Sequence, residues 1–317
     1  MRVTPKFAAL VLLVAGTATC SDPDPLPSDS GNPATSTATS ILITDTPFPY
    51  DLVERADLYI VRVTVGTDSG STGSGCGGAV QVAAPNRTID LLALQHGTTA
   101  LLDTFKLTAG DYRAVCVTIN TNLSSLTLRD GRILTGTSSP GIDWSGSGER
   151  ILKADVHDPI AIADSGGRIL IHFDVGRSFI PLQDVEPPRS DSGFAFIATL
   201  EAFDPSRTGS ITGRLVSPFA GAPIVNASIR ALVGDSSMAE GTWFVAGTGT
   251  TDADGNFKLA YLSPSSRWAG PGWVYNLAAD APAIMGGLAP LRVKGVDVTI
   301  GHSTDLGVLV MPEPAAP

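Results

Sequence analysis

Cysteine and histidine are scarce in this chain, three and four in 317 residues. The cysteines form no Cys-X-X-Cys pair and the histidines, His96, His157, His172 and His302, are scattered, so a zinc or haem site has no ligand pattern to rest on. A Gly-X-Ser-X-Gly elbow is missing too, which removes one common frame for a serine nucleophile. Positive charge is in deficit: Lys and Arg number 21 against 31 Asp and Glu, a formal net charge of −10. Nucleic acid and anionic lipid surfaces are therefore disfavoured as partners, since both call for a basic face. No apolar run reaches the ~20 residues of a membrane-spanning helix. The expectation is a protein without catalytic residues, metal or cofactor, and not an enzyme.

What is present begins with a sorting signal. Arg2 and Lys6 precede an apolar run at residues 7–15 and a small-residue exit, Thr17-Ala18-Thr19-Cys20. Residues 1–19 read as a secretory signal peptide, too short in its apolar part to stay as an anchor. Small residues ending at cysteine resemble a bacterial lipobox, which would make Cys20 the lipidated first residue of the mature chain and its membrane anchor. Without lipid the protein would be secreted, and on both readings it is extracytoplasmic. Loss of Arg2 and Lys6 leaves 19 basic residues against 31 acidic, a net −12, so membrane attachment has to come through the lipid. Residues 20–40, rich in Ser, Thr, Pro, Asp and Gly, then form a disordered tether.

Beyond the tether the hydrophobic pattern has period 2, the signature of half-buried strands. Within residues 58–65, Tyr59, Val61, Val63 and Val65 should share one face, with Arg62 and Thr64 on the other. Val115, Val117 and Ile119 alternate with Cys116 and Thr118; Ile169, Ile171, Phe173 and Val175 alternate with Leu170, His172 and Asp174. Turn clusters such as Arg129-Asp130-Gly131 separate the segments. Helical periodicity is weak throughout, the best short candidate being residues 50–56. The fold class is all-β: two tandem β-sandwich domains at 41–204 and 209–311, with antiparallel strands, a linker at Asp204-Pro205-Ser206-Arg207 and a tail at 312–317. With Cys20 lipidated, Cys76 and Cys116 remain as an even pair in an oxidising compartment and are candidates for a disulfide. The alternative is a free, half-buried Cys116 with Cys76 loose in a Gly/Ser loop.

Several blocks carry resemblances. Ile43-Thr44-Asp45-Thr46-Pro47, Ile89-Asp90-Leu91-Leu92-Ala93-Leu94, Thr108-Ala109-Gly110-Asp111-Tyr112-Arg113 and Ile171-His172-Phe173-Asp174-Val175-Gly176-Arg177-Ser178 resemble successive blocks of the DUF4382 family. That resemblance implies a bacterial surface or lipoprotein module of undefined molecular function. Further on, Gly209-Ser210-Ile211-Thr212-Gly213-Arg214, Gly221-Ala222-Pro223-Ile224-Val225-Asn226 and Thr251-Asp252-Ala253-Asp254-Gly255-Asn256-Phe257 resemble the carboxypeptidase regulatory-like domain. This second resemblance implies a prealbumin-like sandwich, here without the zinc enzyme that it accompanies in carboxypeptidases.

Three groups of residues remain as site candidates. Asp252, Asp254 and Asn256 have the alternating oxygens of a calcium loop but lack its closing Glu, and the same stretch also reads as a hairpin turn around Asp254-Gly255. Trp268, in a Ser/Pro/Gly-rich stretch, either packs on its sandwich or presents an indole face for ligand binding. His172 and Asp174 fall on one strand face, either as a tuned pair or as part of a polar solvent face. The expected function is a non-enzymatic, lipid-anchored cell-envelope protein offering a binding or structural surface. Its candidate partners are a glycan or an envelope protein, and the alternative is a carbohydrate-binding protein using the C-terminal domain.

Overall fold

The computed structural model describes residues 36–45, 52–68, 76, 79–95, 97–184, 193–235, 239, 243–267, 273–282 and 287–313. Cys20 and Trp268 lie outside the described residues. Mostly strand, with one short α-helix at Val175–Ser178, the chain builds two β regions, each around its own hydrophobic core.

The first region contains strands β1 (Ser36–Asp45), β2 (Val53–Gly66), β3 (Ala100–Thr108), β4 (Ala114–Asn120), β5 (Glu149–Ala154), β6 (Gly167–Phe173) and β7 (Leu200–Phe203). One sheet has the order β7-β6-β1-β3. A second runs β5-β4-β2 and continues through Ser125–Leu128 and Ile133–Leu134. Ile41, Ile43, Ile169, Ile171 and Phe173 from the first sheet and Val63, Val65, Val115, Val117 and Ile119 from the second are all fully buried.

The second region holds β8 (Gly209–Val216), β9 (Ser228–Asp235), β10 (Phe244–Thr250), β11 (Asn256–Leu262), β12 (Trp273–Asp280), β13 (Leu291–Val296) and β14 (Ser303–Val310). Its sheets run β11-β8-β14 and β10-β9-β12-β13. Ile211, Ile229, Val233, Leu259, Tyr275 and Leu277 fill the space between them. Between the regions, Pro205–Arg207 is a single 3-10 turn, started by Asp204, whose carboxylate accepts from the Ser206 amide at 2.9 Å.

Several expectations need correction. Strand β1 starts at Ser36, inside the stretch assigned to the tether, because its first residues pair in register with β3, Ser36 opposite Thr108 and Thr39 opposite Phe105. Residues 53–56 are not helical but open strand β2, pairing with Ser125–Leu128. Nor is the sheet wholly antiparallel: the first strand of each region pairs in parallel with a much later one, β1 with β6 and β8 with β14. In β2 the alternation is interrupted. The register to β4 shifts between Ile60 and Arg62, so Leu58 and Ile60 are buried ahead of the shift, Val63 and Val65 after it, and Tyr59 and Val61 stay partly exposed. One extra residue in a strand reverses every later side chain, which is what a β-bulge does. Strand β4, expected to alternate, is buried on both faces from Ala114 to Ile119: Val115, Val117 and Ile119 belong to the first core, and Cys116, of opposite parity, carries the bond to Cys76.

The disulfide is formed. Cys76 and Cys116 are bonded with Cα atoms 6.3 Å apart, 40 residues apart in sequence, and Cys116 is 1% exposed. The bond ties Cys76 to an inner strand of its sheet, β4.

Candidate cleft between the two β regions

In β6 the period-2 rule sends Ile169, Ile171 and Phe173 into the first core, leaving Leu170 and His172 on the opposite face. Register with β7 extends that face, with Phe203 opposite Leu170 and Glu201 opposite His172. This face is covered. Leu170 is fully buried, His172 stacks edge-on to Phe203 at a 6.3 Å centroid distance, and Phe203 meets Tyr261 of the second region at 6.3 Å. Desolvation holds the His172 imidazole well below its ordinary value, at about 4. Asp174 leaves the strand to cap the short helix, accepting from the Arg177 amide at 2.9 Å. Burial raises its carboxyl, against the opposing pull of Arg177.

Tyr261 reaches this face through a backbone irregularity. Strand β11 places Leu262 opposite Gly209 and Leu259 opposite Ile211, so Ala260 and Tyr261 together face Ser210 alone. Tyr261 takes φ +59°, the left-handed region that a bulky L-residue enters at a cost. Leu262 goes into the core in its place, and the Tyr261 hydroxyl swings out to donate to the Gly97 carbonyl at 3.1 Å. Gly97 itself has φ +80°, and a Cβ there would lie 2.9 Å from Ala260 Cβ, so a glycine is required twice over. Burial also raises the Tyr261 phenol. A second tie sits at the rim, where Arg267 Nη1 meets Asp158 Oδ2 at 2.7 Å, and beside it His157 Nε2 stands 3.8 Å from Glu201 Oε1. Exposed pairs of this kind contribute ~0–1 kcal/mol.

Changing Tyr261 to Phe is expected to lower unfolding stability by about 1 kcal/mol, because it deletes the hydroxyl and leaves the Gly97 carbonyl without that donor. Urea titration measures it, and a variant as stable as the parent would show that this contact does not hold the two regions together.

Around these contacts opens a cleft of about 1550 Å³, walled by His172, Glu201 and Phe203 from the first region and by Arg230, Thr248 and Tyr261 from the second. Six carboxylates and five guanidiniums line it. Two pairs join opposite charges, Arg230 with Asp280 at 2.6 Å and Arg267 with Asp158 at 2.7 Å. Chemically the cleft offers hydrogen-bonding groups and aromatic surface. Among the described residues no group of three or more His, Cys, Asp or Glu is placed to hold a metal ion.

Of the sequence candidates, Asp252, Asp254 and Asn256 are absent from the cleft lining. Asp252 Oδ1 accepts from the Asp254 and Asn256 amides at 2.9 and 2.8 Å, and Gly255 turns at φ +80°. Those oxygens organise the β10–β11 turn. His172 and Asp174 both reach the cleft, but the carboxylate in register with His172 is Glu201. Tyr261, Asp158 and Arg267 were not anticipated. Period 2 alone puts Tyr261 with Phe257 and Leu259 in the core, and only the bulge takes it out.

Residues 36–186 match the family described as "Domain of unknown function (DUF4382)", and the chain carries that domain there. No curated protein sequence matches the chain. Among solved structures, it is similar to a 9R-lipoxygenase from Cyanothece PCC8801 at 20% identity and TM-score 0.26, covering 34% of this chain and 17% of that one. The Bacillus anthracis TIE protein aligns at 13% identity and TM-score 0.22, over 82% of this chain and 35% of that one. Shaft pilin SpaA from Lactobacillus rhamnosus GG aligns at 10% identity and TM-score 0.22, covering 89% and 100% respectively. The chain thus spans well under two thirds of the first two of these proteins.

Proposed function

We propose that this DUF4382-bearing chain is a non-enzymatic, lipid-anchored cell-envelope protein, held by diacylglycerol on Cys20 and displaying a binding surface at the end of a short tether. The observation that carries the reading is the cleft at which both β regions contribute walls. Two regions joined only as a spacer have no need of a residue strained into the left-handed region to close their contact, whereas strain of this kind is common where a surface is shaped for a ligand. The Cys76–Cys116 bond supports an oxidising, extracytoplasmic compartment. In this reading the second region is a carboxypeptidase regulatory-like sandwich acting as a recognition module.

Two experiments test it. Labelled palmitate is expected to enter the parent chain and not a Cys20→Ala variant; equal labelling removes the anchor. Purified unlipidated protein is then titrated against isolated envelope fragments. Saturable retention, reduced at least five-fold by Arg230→Ala in the cleft wall, is the expected result, and non-saturable or absent retention reduces the protein to a spacer.

A further inference from the structure

A sheet edge is a row of backbone donors and acceptors that will pair with any chain presented to it, and proteins blunt such edges with charge, proline or bulges. Six described edge strands here have six residues or more, and five carry charge: Asp103 and Lys106 on β3, Glu149, Arg150 and Lys153 on β5, Lys258 on β11, Arg292 and Lys294 on β13, and Asp305 on β14. Strand β10, Phe-Val-Ala-Gly-Thr-Gly-Thr, has neither charge nor proline. It pairs with β9 on one side and ends its sheet. Its one irregularity is Ala246, extra against β9 where Leu232 faces Val245 and Ala231 faces Gly247. Beyond that bulge Gly247–Thr250 keep regular register with β9.

This edge faces the cleft. Side chains of a strand alternate between faces, so a cavity lying over one face touches every second residue. Thr248, Gly249 and Thr250, three in succession, all line the cleft, as do Val245 and Ala246. Contact with both parities means that the cavity meets the strand at its edge. Val245 is exposed and Ala246, Gly247, Thr248 and Thr250 are half-buried, while Gly249 is buried with its Cβ direction toward Leu259.

We propose that the cleft receives an extended, uncharged polypeptide segment of an envelope partner, which adds as a strand to the open edge of β10. The occupant follows from the chemistry. Only another extended polypeptide offers a row of N–H and C=O groups at the strand repeat of ~3.3 Å and the inter-strand spacing of ~4.8 Å; a sugar chain has no such row. Strand β10 carries no charge of its own, and the charge in register with it, Arg230 opposite Thr248, is already paired with Asp280 at 2.6 Å, so an uncharged segment suits this edge. A cavity of about 1550 Å³ exceeds the ~300–1,000 Å³ typical of small-ligand pockets and suits a length of chain. This inference rests on the proposed reading of the cleft as a binding surface and names the class of its partner.

The test uses the purified protein and a fluorescein-labelled peptide of alternating threonine and valine with lysine pairs at its ends. A second copy of the peptide is N-methylated at every other residue, which removes its donors along one edge. Anisotropy should show saturable binding of the first and at least ten-fold weaker binding of the second. Val245→Lys and Thr248→Lys should each weaken the first peptide at least ten-fold. Hydrogen exchange should slow at Gly247–Thr250 when the peptide is bound, a readout that needs no variant to fold. Equal binding of both peptides, unchanged exchange at those amides at saturation, or no binding up to 1 mM overturns the proposal. If envelope polysaccharide or a neutral oligosaccharide is retained while the peptide is not, the strand proposal fails and the binding surface stands. If neither peptide nor envelope is retained, both fail.

Discussion

Replacing Cys76 and Cys116 together by alanine is expected to cost about 4 kcal/mol of unfolding stability. The estimate comes from the loop that the bond closes. With a sequence separation of 40 between the cysteines, the loop-closure entropy removed from the unfolded chain amounts to about 4 kcal/mol at 25 °C. Cys116 is buried in β4, the strand between β2 and β5, so the bond ties Cys76 to an inner strand. Changing both residues avoids leaving a lone thiol behind. Urea titration of the parent, the reduced parent and the double variant measures the effect. Reduction and the double substitution should agree, and a loss below about 1 kcal/mol would mean that the loop is held by something other than the bond.

The second large effect is in pH. His172 has its folded-state value at about 4, against 6.5 ordinarily, because burial disfavours the imidazolium. Between these values the unfolded chain binds a proton that the folded chain does not, so protonation favours unfolding and stability rises with pH. Full stability is present above about pH 6.5 and is lost progressively as pH falls to about 4, below which the contribution levels off. At 1.36 kcal/mol per pKa unit the full effect is about 3 kcal/mol. Asp174 acts in the opposite sense. Its carboxyl is raised by burial, so just above the ordinary carboxylate range the folded chain takes up a proton more readily than the unfolded one and gains stability as pH falls. That partly offsets His172 at the acid end. A His172→Gln variant should lose the slope between pH 6.5 and 4 while keeping the Asp174 component. Parallel profiles for parent and variant across that window would remove His172 as the cause. Acid weakening at this residue should be felt first where Phe203 and Tyr261 join the two regions, since His172 stacks on the former.

Sequence and structure agree where local rules suffice. Alternation identified β6 and the faces of Ile169, Ile171 and Phe173, because β6 pairs with β1 and β7 without a register shift. The hairpin at Asp254-Gly255 was readable, since few residues other than glycine adopt its φ. Setting Cys20 aside left Cys76 and Cys116 as an even pair, which pointed to the bond now seen between them. In the candidate site, His172 was noticed as a polar residue on an apolar strand, yet its surroundings were not. Nothing in Leu170-Ile171-His172 tells whether the face opposite the core meets water or a second sheet.

Composition and periodicity by themselves determined the acidic charge, the all-β class and most of the residues that populate the strands. These follow from side-chain chemistry and from the two-residue repeat of an extended backbone, both local. Tertiary structure alone decided the parallel pairing of β1 with β6, the covering of the His172 face, and the bulge that turns Tyr261 out of its core toward Gly97. Each of these depends on register between segments far apart in the chain. A single extra residue reverses a strand's faces at little local cost, so the outcome is set by what the whole fold can bury and not by the strand's own pattern.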